Sequence, residues 1–284
     1  MRRFFLCFTL LIIAATSTTA QTDPVASINS RLAGQVVTIR NFPSGSLLRY
    51  DANGRLLEGG QSGPWTVFDQ YEFGKANLHN RTLRISGERL AILFPHHDLT
   101  RKYYGFGEAM IEVDFPQPPD AAAVANAVNQ VFLSKGMTLA DAVPSCWRPL
   151  LTGEVTPKPL VKKHKQAKNS SGSASALVDA DLGEEIRPGV YRVGKDVKPP
   201  KTTSAPEPAY DPIARAARME GTMVLQAVVD ERGEARDIAI VTPLGFGLDD
   251  RACEAVAAWK FAPATKNGLP VKVAVNVEVN FHLY

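Results

Sequence analysis

The run DPIARAARMEGTMVLQAVVDERGEARDIAIVTP, residues 211–243, carries three element signals in succession. Asp211 can accept an amide at a helix start, and Pro212 suits a first turn because the amide it lacks would be unpaired there anyway. PIARAARME therefore reads as a short helix stopped at Gly221. TMVLQAVVD alternates as a strand, DERG turns it, and EARDIAIVTP is the returning strand of a hairpin. Working outward, the loop LGFG leads into LDDRACEAVAAWKF, which sets Leu248, Ala252, Cys253, Val256 and Trp259 on one helical face. The chain closes with VKVAVNVEVNFHLY, residues 271–284, whose odd-numbered positions are apolar. Helix, hairpin, helix, strand predicts one sheet covered on one face by helices.

Upstream, QVVTIR, SLLRYD, GRLLEG, PWTVFDQY, RTLRISG, RLAILF and MIEVDF are short apolar or alternating runs separated by turn residues such as Asp51-Ala-Asn-Gly54. They predict a meander of antiparallel strands. Asp120 caps a helix with Ala123, Val124, Ala127, Val128, Val131 and Phe132 at helical spacing, ended at Gly136. TLADAV is a second short helix, and Trp147 follows as a core residue. The fold class is α+β: an α-β-β-α-β carboxy-terminal unit preceded by a strand-rich amino-terminal domain with one or two helices.

Between these units, residues 156–182 mix Pro, Lys, Ser and Gly without a period, which predicts a flexible tether. Lys158, Lys162, Lys163, Lys165 and Lys168 make its first half basic, the composition of a solvated tether or of a contact with anionic polymer or lipid. RPGVYRVG, farther on, alternates enough for a short strand or docking segment. The division expected is a signal peptide at 1–20, a strand-rich domain at 21–152, a linker at 153–198 and the carboxy-terminal domain at 199–284. Arg2 and Arg3 before an apolar run, then small residues to Ala20, form the secretory pattern, with cleavage before Gln21. A periplasmic location follows, with an inner-membrane anchor as the lesser alternative.

The net charge of +3 is not gathered on an aromatic-rich motif, so nucleic acid is excluded as a partner. His96, His97 and Asp98 adjoin, yet neighbouring strand residues face opposite ways and no fourth ligand is near in sequence, so no metal is expected. Ser-Gly pairs lack the strand-to-helix context of a nucleophile elbow, and no cofactor or enzymatic activity is expected. Trp65, Phe68, Tyr71, Phe73, Tyr103, Tyr104 and Phe106 read as packing residues of the first sheet before they read as a ligand groove. Cys146 and Cys253 fall in different units, which argues against a disulfide between them.

Pro208 and Tyr210 before the first helix, Arg218, Glu220 and Gly221 at its end, Asp230 and Gly233 in the hairpin, and the cluster Trp259, Lys260, Phe261 and Pro263 recur in one order. In these motifs the chain from about residue 195 to 284 resembles the carboxy-terminal domain of the TonB family, the energy transducers of the Gram-negative envelope. The resemblance implies binding of an outer-membrane transporter, whose TonB-box peptide adds as a strand along the edge of the last strand. It implies partner-binding roles for Glu207, Pro208 and Tyr210. On the last strand, the polar residues Lys272, Asn276, Glu278, Asn280 and His282 are the candidates to tune the choice of partner. Gly221, Gly233, Trp259, Phe261 and Pro263 are expected to be structural. An ExbB/ExbD-type motor would be the family's second partner, but a short apolar leader with no histidine before His79 departs from the family's anchor. A homodimer through the same edge, or an envelope scaffold or wall-binding protein without energy transduction, is the rival role.

Overall fold

A computed structural model describes residues 23–133, 139–155, 176–177, 185–194 and 196–283. The expected signal at 1–20, the helix stop at Gly136 and the lysine-rich stretch 158–168 lie outside them. No helix among the described residues is long and apolar enough to cross a membrane.

The first part comprises α1 (Ala26–Leu32), β1 (Val36–Thr38), β2 (Leu47–Asp51), β3 (Leu56–Glu58), α2 (Trp65–Phe68), β4 (Gln70–His79), β5 (Thr82–Leu93), β6 (Lys102–Asp114), α3 (Ala121–Val131), α4 (Leu139–Ala142) and α5 (Arg148–Leu151). Its sheet runs β1-β4-β5-β6-β2-β3, with β2 parallel to β6 and the other pairings antiparallel. Asp120 caps α3 as its spacing predicts, accepting the Ala123 amide at 2.7 Å. Val124, Ala127, Val128 and Val131 then face Tyr71, Phe73, Ile85 and Ile111 in a core that also takes Ile28 from α1. Helix α1 has a single buried residue and gives no periodic signal; it is fixed by Asn29, whose side chain both donates to and accepts from the Ala76 backbone at 2.8 and 2.7 Å.

Two sequence expectations are corrected here. PWTVFDQY is not one strand, because Trp65–Phe68 turns as helix α2 and buries Trp65 edge-on against Trp147 at 4.8 Å between ring centroids. A short apolar run reads alike as strand or buried helical turn. RTLRISG and RLAILF are one strand, β5, rather than two. Gly87 does not break it; a side chain there would run into the Tyr71 ring, whose hydroxyl crosses to the Ile85 and Ala109 carbonyls at 3.0 Å each.

The second part comprises β7 (Ala176–Leu177), β8 (Glu185–Arg187), β9 (Val190–Arg192), β10 (Val197–Lys198), β11 (Lys201–Ser204), α6 (Pro212–Ala216), β12 (Gly221–Val229), β13 (Ala235–Thr242), α7 (Leu248–Ala258), β14 (Lys260–Ala262), β15 (Ala264–Lys266) and β16 (Leu269–Phe281). The order α6-β12-β13-α7-β16 is the one read from sequence. Asp211 caps α6 through the Ile213 amide at 2.9 Å. In the sheet, β16 lies beside β12 over nine residue pairs from Gly221↔Phe281 to Val229↔Val273. The odd-numbered residues Val273, Val275, Val277, Val279 and Phe281 are buried.

The two parts share a core. Trp65, Phe94, Trp147 and Leu150 join Leu244, Phe246, Leu248 and Val256 in one buried cluster. Backbone pairing crosses the junction, with Phe94 N–H donating to the Leu244 carbonyl at 3.1 Å and Phe246 N–H to that of Ile92 at 2.9 Å. The Trp147 indole donates to Asp250 Oδ1 at 2.9 Å, and the Gly247 amide to Thr66 Oγ1 at 2.8 Å.

Candidate functional site

A sheet can accept a further strand only where an edge has unpaired backbone. On one side the carboxy-terminal sheet ends at β13. That edge is engaged at Ile240, whose amide donates to the Cys146 carbonyl at 2.9 Å. It is interrupted at Asp237, a non-glycine residue with φ 46°, whose carboxylate pairs with Arg187 at 2.8 Å. Bulges and charges of this kind blunt an edge against pairing.

The other edge is that of β16. Val273 and Ala274 pair with β12 on one side and with Tyr191 and Arg192 of β9 on the other. Asn276 and Val277 likewise pair with Gln226 and Leu225 of β12 and, across the strand, with Leu177 and Ala176 of β7. Residues 269–271 are held by β15 through a hairpin at Asn267 and Gly268, both with positive φ. The fully free edge expected along residues 271–283 is therefore shorter. Among the described residues, no strand pairs with the outer edge at 278–281. RPGVYRVG, read as a short strand or docking segment, forms β9, which pairs parallel to β16, with Lys266 4.2 Å over the Tyr191 ring.

Tyr210 stands at the end of that open stretch. Its ring meets Phe281 edge-on at 5.5 Å, its hydroxyl donates to the Met219 carbonyl, and the Arg215 guanidinium lies 5.0 Å over its face. Burial and the Glu220 carboxylate raise the phenol pKa, which keeps the hydroxyl a donor. The segment before it is anchored by the Trp259 indole, which donates to the Pro206 carbonyl at 3.0 Å. Glu207 is exposed and Pro208 half-buried on this anchored run. On β16, Lys272 and Asn280 are exposed and Asn276 and Glu278 half-buried, and His282, just past its end, is exposed. Asn280 hydrogen-bonds Thr222, Lys272 lies 3.9 Å from Glu231, and the Leu283 amide donates to Glu220 at 2.6 Å. Tyr210, Asn280 and His282 thus gather at one end of the strand, with Glu278 next to them. Lys272 and Asn276 lie along the part that β9 and β7 already cover.

The residues expected to be structural occupy load points of the backbone. Gly233, at φ 77°, lies so close to the Phe261 carbonyl that no side chain fits, and its own carbonyl accepts the Phe261 amide at 2.9 Å. Gly221 packs under Leu244, and Pro263 separates β14 from β15. Trp259 and Phe261 are buried core residues with rings 6.2 Å apart. His97 Nδ1 lies 3.3 Å from the Pro243 carbonyl, and no group of three or more metal-ligating side chains occurs among the described residues.

Two features of the site escaped the sequence. The β15–β16 hairpin has a legible signal in Asn267-Gly268, the turn pair of a tight hairpin. The pairing of Ala176 and Leu177 has none, since two residues within a Ser- and Asp-rich stretch carry no period.

The carboxy-terminal part is a sheet with two helices, in which no described strand pairs with the outer edge of β16 at residues 278–281, beside an anchored Pro-and-Tyr segment. Residues 206–283 match the family model described as the Gram-negative bacterial TonB protein C-terminal, and this part of the chain is a TonB carboxy-terminal domain. The chain is 31% identical over 87 residues to Protein TonB of Vibrio cholerae serotype O1 (strain ATCC 39315 / El Tor Inaba N16961), a match covering 30% of this chain. It spans 36% of that relative's length. The solution NMR structure of the Pseudomonas aeruginosa TonB CTD matches with 22% identity and a TM-score of 0.23, covering 31% of this chain and 86% of that one.

Proposed function

We propose that the protein is a periplasmic TonB-like binding protein. In this role it pairs an extended peptide of an outer-membrane transporter along the outer edge of β16, from Asn276 to Phe281, in the service of energised transport. The observation that carries the proposal is that no strand among the described residues pairs with the outer edge at residues 278–281, with Tyr210 seated at its end. Main-chain pairing supplies affinity with little demand on sequence, and the side chains of Glu278, Asn280 and His282 supply selection. The incoming strand extends past the open stretch only by displacing β7, a two-residue pairing that costs little to open. No catalytic step belongs to this role. Residues 1–20 deliver the chain to the envelope, and a basic tether connects the two parts.

The test is fluorescence anisotropy with a labelled transporter peptide bearing a TonB box. Saturable micromolar binding, lost to a competing unlabelled peptide but not to a scrambled one, is the expected result. Absence of binding together with a stable dimer in sedimentation would favour the scaffold role, with the edge closed by a second copy.

A further inference from the structure

The sequence places Cys146 and Cys253 in different units, yet the fold brings them together. Cys146 lies in the loop before α5 and Cys253 in the middle of α7, and both are buried in the cluster shared by the two parts. The backbone at this point is held from two sides. The Cys146 carbonyl accepts the Ile240 amide at 2.9 Å, and the indole of the next residue, Trp147, reaches Asp250 at 2.9 Å. Asp250 is three positions before Cys253 and so shares its helix face. Both cysteines are free thiols and line one cleft at the junction with Pro144, Pro149, Glu254 and Ala257.

The surroundings exclude other uses of a thiol pair. No third metal-ligating partner completes a group with them among the described residues. Burial, then the neighbouring Cys146, raises the Cys253 thiol well above its ordinary pKa, which suppresses nucleophilic chemistry. We propose that Cys146 and Cys253 form a disulfide that clamps the amino-terminal unit to the TonB-type domain. That it forms in the cell rests on the envelope location proposed above; that the pair is competent to form it does not.

In the step, the thiolate of one cysteine attacks a sulfur of an oxidant disulfide, protein or small molecule, and expels one oxidant thiolate. The thiolate of the second cysteine then attacks the first cysteine's sulfur and releases the other. Two protein thiols lose two protons and two electrons, and one oxidant disulfide becomes two thiols. Because both thiols are buried once the units dock, oxidation precedes docking or accompanies a transient separation. The bond closes a loop that contains the whole basic tether, so the units stay joined even when the tether is cut.

That consequence supplies the experiment. The full-length protein is refolded in a buffer of oxidised and reduced glutathione, alkylated and cut by trypsin at the tether lysines. It is then run denatured without reductant. The expected result is one joined species that separates into two fragments on adding dithiothreitol, with Cys146→Ser and Cys253→Ser each giving two fragments throughout. Reduction of the intact protein is expected to lower its Tm by about 5–10 °C. Two fragments from the wild type without reductant, with both cysteines alkylated, would overturn the proposal. The same gel on protein recovered from a bacterial periplasm tests formation in the cell separately: joining in glutathione buffer but not there would overturn formation of the bond in the envelope and leave the pair's competence standing.

Discussion

At the residue scale, the account turns on side chains and glycines that the backbone leaves no alternative. Gly233 adopts a conformation other residues resist and touches the Phe261 carbonyl. Gly233→Ala is therefore expected to destabilise by about 2–4 kcal/mol, read by chemical denaturation. Tyr210 combines a ring contact to Phe281 with a backbone hydrogen bond. Tyr210→Ala should weaken peptide binding roughly three- to ten-fold, while Tyr210→Phe, which keeps the ring, should bind as the wild type does. Equal binding by Tyr210→Ala would remove Tyr210 from the site. The roles of Asp120, Asp211 and Pro212 are legible in sequence because a cap depends on neighbours a few positions away. Asn29 and Gly87 are not, since their partners Ala76 and Tyr71 are brought to them only by the assembled sheet.

At the scale of elements, β16 pairs with β12 from 273 to 281 and carries other strands on its outer edge at 269–274 and 276–277. Proline at Asn276, a moderate cost to the fold had the edge been free, now interrupts an interior strand and is expected to cost more stability as well as binding. The more discriminating change is on the occupant. Leu177→Pro weakens the pairing of β7 and raises the fraction of protein with an open edge, so the affinity for the peptide should rise roughly two- to five-fold. Unchanged or weaker affinity in anisotropy would mean that the peptide does not enter where β7 lies. The α-β-β-α-β order could be read in advance because each of its elements has its own period and its own punctuation. The short strands β7, β9 and β15 owe their existence to the edge they lie against, and of these only the Asn267-Gly268 turn and the alternation of RPGVYRVG leave a trace in sequence.

At the scale of the whole molecule, Asp249 and Asp250 are buried carboxyls at the junction of the two parts, and Asp69 is a buried carboxyl of the amino-terminal part. Burial lifts Asp249 and Asp250 to about 7 each and Asp69 to about 8. The amides of Leu244 and Gly245, the Trp147 indole and Gln70 oppose that rise. A carboxyl whose folded pKa is raised holds a proton that the unfolded chain releases near 4, so its contribution to stability is complete below about pH 4 and is lost as pH rises through 7 to 8. Thermal unfolding is expected at a higher temperature at pH 5 than at pH 8. Asp250→Asn, which keeps an acceptor for the indole, should flatten the profile, and an unaltered profile would assign the pH dependence elsewhere. The sequence shows two compositional units but not their joining. The shared core needs Trp65, Trp147 and Phe246 from distant segments; the first two read in isolation as packing residues of their own unit, and Phe246 as part of a loop.

The central claim is that a partner strand pairs along the outer edge of β16. Hydrogen exchange of the full-length protein with and without saturating TonB-box peptide tests it most directly. Outward-facing amides within residues 276–281 should slow at least about ten-fold, those of Ala176 and Leu177 should exchange faster as β7 is displaced, and β12 should be unchanged. Peptide-induced protection confined to β13 or to the amino-terminal sheet, with residues 276–281 unaltered, would contradict it.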